Sequence, residues 1–302
     1  MEINFKLLIL LIVISIIAFI AFIAFFDTAD KKNSEMEEEI VLPESIAQNT
    51  VEICKINGNL FKVTDSFIWY YNDAGIYKTD FTGKIIYNLK TGKGITAAIV
   101  KNNQLYYCIN NRISKINIED KNSKLKTFTV LSAKSYFKDI QIYNNHIYVS
   151  DRGKYKIHCI KMNGKIRWSS QEDKRFILPG KEFKIDITDN GELWLANHGR
   201  KVLEQLNTEN GRYIAQWRPN KRKLLPGCCN PGAFRILDNN KILFLIKGKG
   251  DIIIFNPGGS IDKFIIKNIP VKHLQLFVDI TETGKIYINY NNAVYRLTNY
   301  GK

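Results

Sequence analysis

Residues 185–197 read IDITDNGELWLAN: a short apolar strand, a tight polar turn, and a second strand of bulky apolar residues. The same phrase returns as FRILDNNKILFLI (234–246) and VDITETGKIYINY (278–290). A third strand follows, as in YKIHCIKMNGKIRW (155–168), where Asn163-Gly164 turns the chain into a fourth. Each copy therefore reads as a four-stranded antiparallel meander, its strands called a, b, c and d from first to last.

The b strand carries the period. FIWYY, LYYCI, HIYVS, ELWLA, KILFLI and KIYINY align on Ile68, Leu105, Ile147, Leu193, Ile242 and Ile286, which lie 37, 42, 46, 49 and 44 residues apart. Self-similarity of 40 to 50 residues with four strands per unit is the signature of radial repetition rather than of a sandwich. The last copy ends at Lys302 without room for its d strand, whereas VEICKIN (51–57) is a spare strand before the first copy. The expected fold is all-β, a six-bladed β-propeller over 51–302 whose N-terminal strand completes the last blade and so removes the open edge.

Two stretches carry a family likeness. HIYVSDRGKYKIHCIKMNGKIRW (146–168) resembles an NHL-type propeller repeat, as does ELWLANHGRKVLEQLNTENGRYIAQW (192–217). GCCNPGAFRILDNNKILFLIKGKGDIIIFNPGG (227–259) resembles a blade with a Cys-Cys-Asn-Pro opening found in some exported bacterial NHL-like proteins. The resemblance implies a fold and no settled activity.

The chain has 302 residues, 45% apolar content and a formal charge of +15. After a short N-terminus (1–6), residues 7–26 (LLILLIVISIIAFIAFIAFF) form an apolar run broken only by Ser15, long enough for one transmembrane helix. FFDTADKK follows where a cleaved signal would show small residues, so an uncleaved signal anchor is expected, with the propeller outside the cytoplasm; cleavage would make it secreted. Residues 27–50, acidic at EMEEEI, read as a flexible stalk.

With the stalk negative, the body is more basic than the whole chain. In a propeller of this connectivity the d–a and b–c loops share one face, and most loop lysines and arginines fall there, while the opposite face is nearly balanced. Arg152, Lys154, His198, Arg200, Lys221, Arg222 and Lys223 are the candidate contacts on the basic face. A face of one sign attracts anionic partners, and export argues against nucleic acid. Lysines that only keep an exported protein soluble are the plain alternative.

Cys228 and Cys229 are adjacent in the loop KRKLLPGCCNP (221–231) on that face. In an oxidising compartment they are a disulfide candidate, a strained ring that serves as a ligand platform or as a staple fixing the next inner strand. A bond from Cys54 to either is also open. Cys54, Cys108 and Cys159 lie in strands, where a free thiol behaves as a small apolar group. The cysteines show no zinc-ligand spacing, and no cofactor motif is found.

Strand alternation places Asp186, Arg235 and Asp279 on the channel side of their a strands. They are candidate ligand contacts or partners of one another, since buried charges need partners. Lactonases of the gluconolactonase type resemble this fold class, but their metal-binding set has no residue-by-residue match here. The expected function is a membrane-anchored binding module for an anionic ligand or protein partner without chemistry of its own. A lactonase-like hydrolase with a metal or ligand in the channel is the alternative.

Overall fold

The structure is a computed structural model, and it describes residues 50–298 except 121, 171–174, 181, 228, 229, 231, 238, 270–277, 282 and 291. The chain divides into Met1–Leu42, outside the described residues, and Pro43–Lys302. The apolar run 7–26 and the Cys228–Cys229 pair fall outside the described residues. Among those residues no helix is long and apolar enough to cross a membrane.

A lone strand, β1 (Thr50–Lys55), precedes five complete meanders. Blade 1 is β2 (Asn59–Val63), β3 (Ile68–Tyr71), β4 (Gly75–Thr79) and β5 (Ile85–Lys90); blade 2 is β6 (Ile95–Lys101), β7 (Gln104–Ile109), β8 (Arg112–Asn117) and β9 (Lys126–Val130). Blade 3 is β10 (Phe137–Tyr143), β11 (His146–Asp151), β12 (Lys156–Lys161) and β13 (Ile166–Ser169); blade 4 is β14 (Ile185–Ile187), β15 (Leu193–Asn197), β16 (Val202–Leu206) and β17 (Tyr213–Trp217). Blade 5 is β18 (Ala233–Ile236), β19 (Ile242–Ile246), β20 (Asp251–Phe255) and β21 (Ile261–Ile266). Blade 6 has β22 (Val278–Ile280), β23 (Ile286–Tyr290) and β24 (Ala293–Leu297), and its fourth strand is β1.

That last pairing closes the ring. β1 runs antiparallel to β24 in the register Val51↔Arg296 and Cys54↔Val294. The inner strands then touch in a full cycle, from β2 through β6, β10, β14, β18 and β22 back to β2. The protein is an all-β, six-bladed propeller.

The b strands are buried on both faces, as in β19 and β23, because each blade is covered by a neighbour on either side. Apolar clusters accordingly straddle adjacent blades. Tyr106, Cys108 and Ile113 of blade 2 pack on Phe137, Ile140 and Val149 of blade 3. Cys54, Tyr287 and Val294 pack on Leu60, Val63 and Ile68 across the closure. Cys54, Cys108 and Cys159 are buried free thiols, in keeping with an apolar role.

Blades are also pinned at their outer turns. Gly211 has φ +71 in the c–d turn of blade 4, and a Cβ there would stand 2.5 Å from the Trp168 ring. Only glycine serves both demands. The indole of Trp168 thus lies on the turn and donates from Nε1 to the Thr208 carbonyl at 2.8 Å. Trp217 repeats the bond to the Pro257 carbonyl at 2.7 Å, one blade on.

Candidate ligand site at the channel mouth

The two faces expected from connectivity are visible in the loop hydrogen bonds. Loops of the d–a and b–c kind bond to each other: Arg152 N donates to the Tyr136 carbonyl, Gly199 N to Ile177 and Ile269 N to Gly250. Turns of the other kind meet on the far side, where Ile118 N donates to the Asn103 carbonyl.

The inner-strand residues paired with the b-strand position just after each repeat anchor are Lys62, Ile99, Gln141, Asp186, Arg235 and Asp279, and the charged ones among them form the waist of the channel. Four of these six are charged, and they alternate in sign around the ring. Arg235 Nη1 lies 3.2 Å from Asp186 Oδ1, and its Nε lies 3.7 Å from Asp279 Oδ1. Asp279 Oδ2 is in turn 3.6 Å from Lys62 Nζ. Two cations and two carboxylates cancel.

Both of these carboxylates, and Asp139 of blade 3, also accept a backbone N–H from the next blade. Asp186 Oδ2 takes that of Ile236 at 2.8 Å, Asp279 Oδ2 that of Val63 at 2.8 Å, and Asp139 Oδ2 that of Ile185 at 3.1 Å. These acids staple neighbouring inner strands together. Burial pushes the Asp186 carboxyl up to about 6, with Arg235 and the Ile236 amide pulling against it and Asp139 and Asp279 adding to it.

Above the waist, on the d–a and b–c side, the channel opens into a basin of about 330 Å³. Its wall includes Lys138, Asp139, Glu182, Lys184 and Lys247, with Arg235 toward the floor and Tyr71 and Tyr136 at the sides. Among the described residues three lysines face two carboxylates there, the charge of Arg235 being taken up by the waist. The basin is at the small end of the size range of small-molecule sites and has the mixed apolar and polar wall they show.

Outside the basin the sequence candidates separate into exposed and structural groups. Lys154, Arg200, Lys221 and Lys223 are exposed on the rim. Arg222 begins the short 3-10 turn Arg222–Leu224. Arg152 is half-buried and spends its guanidinium on the fold, donating to the carbonyls of Gly180 at 3.0 Å and Leu178 at 2.7 Å and stacking on Tyr155. His198 differs from its expected place on the face. It lies beneath it, 1% exposed, because the b–c loop is drawn down by the bond from Gly199 N to the Ile177 carbonyl.

The sequence reading missed Lys62, Asp139 and Lys184 as channel groups. It also found no nucleophile beside a base, whereas Ser169 Oγ lies 2.7 Å from His158 Nδ1 and His158 Nε2 lies 3.2 Å from Asp151 Oδ2. Asp151 also accepts the N–H groups of Tyr136 and Lys154, so the trio ties outer strands to loops. Asn197 stands at the position of Asp151 in blade 4 and ties Ile177 N in the same way, at 3.1 Å. Among the described residues no three His, Cys, Asp or Glu side chains gather as a metal site would.

No family model matches the chain, and no curated protein does. Solved structures share the fold. A streptogramin B lyase superposes with a TM-score of 0.56 at 14% identity, covering 84% of this chain and 99% of the other. A catalytically inactive virginiamycin B lyase from Staphylococcus aureus, with quinupristin, gives 0.56 at 15% identity over 82% and 98%. A protein of unknown function from Bacteroides caccae gives 0.52 at 13% identity over 69% and 80%. At such identities the likeness establishes the propeller and nothing about activity.

Proposed function

We propose that this protein is a membrane-tethered, exported propeller that binds carboxylate groups at the mouth of its channel. The observation that carries the reading is the placement of Lys138, Lys184 and Lys247 around one concave basin, above a waist whose charges already neutralise one another. A ligand therefore meets unequal charge at the mouth and a charge-balanced chain of ion pairs below it. Rim cations at Lys154, Arg200, Lys221 and Lys223 extend the positive field and speed the approach of anions. The tether is the apolar run 7–26, with 27–50 as the spacer. The likeness of residues 146–168 to NHL repeats fits an interaction module, and catalysis has no part in this reading.

Titration calorimetry on the full chain in detergent tests it, with two probes of the same chemistry. Succinate stands for a free ligand and a pentaglutamate peptide for an acidic partner surface. Binding of either, weakened in a Lys184→Gln, Lys247→Gln variant and by added salt, supports the reading and names the source. Heat from neither probe contradicts it. Resistance of the protein to alkaline extraction, lost on deleting residues 7–26, tests the tether.

A further inference from the structure

The mouth is not uniformly cationic. Glu182, partly exposed in the approach to β14, lines the basin beside Lys138, Lys184 and Lys247. The other acid of that wall, Asp139, is committed to the Ile185 amide. Among the described residues no hydrogen bond fastens the Glu182 carboxylate. Burial works against its charge, but Lys184, Lys138, Lys247 and His198 outweigh burial and hold it below the usual carboxylate range. At neutral pH the lysine cluster thus encloses an anion of the protein's own.

That arrangement discriminates among anions. A dicarboxylate entering the basin is drawn by the lysines and repelled by Glu182, whereas the same molecule with an ammonium group satisfies both. The basin is also sized for a small molecule rather than for a folded surface.

We infer that Glu182 sets the specificity of the mouth, selecting a free α-amino dicarboxylate over dicarboxylates that lack the amino group. This rests on the anion-binding reading above. The ammonium meets Glu182 while the carboxylates meet Lys138, Lys184 and Lys247.

Aspartate and succinate differ by that one group, and their affinities for the full chain in detergent, measured by calorimetry, test the inference. The wild type is expected to bind aspartate at least about fivefold tighter than succinate, the size of a modest charge contact. In Glu182→Gln the preference disappears, with succinate bound more tightly and aspartate less. Lys247→Gln weakens both probes and keeps their ratio. Equal affinities in the wild type, or an unchanged ratio in Glu182→Gln, overturn the inference and leave anion binding standing. Absence of binding by both aspartate and succinate overturns both. Should Glu182→Gln not fold, the wild-type ratio decides alone.

Discussion

Asp279 on β22 accepts the backbone N–H of Val63 on β2 at 2.8 Å, joining residues 216 positions apart across the seam where the ring closes. The same carboxylate neutralises Lys62 and Arg235 from the blades on either side. One side chain therefore works as hydrogen-bond acceptor, counter-ion and inter-blade tie, and it does so where chain connectivity gives no help.

Removing it exposes all three roles at once. Asp279→Ala leaves a buried amide unsatisfied and two cations short of a partner, so a loss of about 3–5 kcal/mol is expected. Urea unfolding measures it; a loss below about 1 kcal/mol contradicts the assignment.

Asp186 carries a pH signature of the opposite sign to an ordinary ion-paired acid. Its folded-state value is raised to about 6, above that of the unfolded chain, so its contribution is fully present below about pH 4 and is lost as pH rises through about 6. Two units correspond to roughly 3 kcal/mol at most. Asp186→Asn keeps an acceptor for the Ile236 amide. Relative to wild type it is expected to gain stability between pH 4 and 7, and a pH-independent difference would refute this.

Trp168 tests the outer pins. Trp168→Phe keeps most of the ring but loses the bond to Thr208, for an expected cost of about 1 kcal/mol. Gly211→Ala, which drives a methyl group into that indole at a positive φ, is expected to cost more. Thermal melts of both variants order the two effects, and the reverse order is the result that fails.

Much of the architecture was legible because a propeller repeats its instructions. Ile68, Leu105, Ile147, Leu193, Ile242 and Ile286 all fall in b strands, and the spare segment before the first copy does pair with β24. Alternation also brought Asp186, Arg235 and Asp279 to one ring. It failed for Lys62 and Asp139, and the reason is local. β2 shifts register between Leu60 and Lys62, and β10 between Phe137 and Asp139, so counting by twos loses phase there. The parallel between FKDIQIY and FKIDI was the available signal for Asp139. Loop side chains were less legible still: Arg152 turns inward to carbonyls and His198 sits under its loop, and neither direction follows from strand periodicity.

The rim charges should act through the field rather than by contact. Lys221→Glu with Lys223→Glu is expected to slow succinate association and flatten its dependence on salt, leaving the dissociation rate nearly unchanged. Stopped-flow rates at two ionic strengths separate these. A change confined to dissociation would place those lysines in the site itself.

The most direct measurement is a crystal structure of the protein grown with saturating succinate. Carboxylate oxygens within hydrogen-bonding distance of at least two among Lys138, Lys184 and Lys247, above an intact Arg235–Asp279 pair, are the predicted result. Succinate bound elsewhere, or a basin filled only by solvent, would contradict anion binding at the channel mouth.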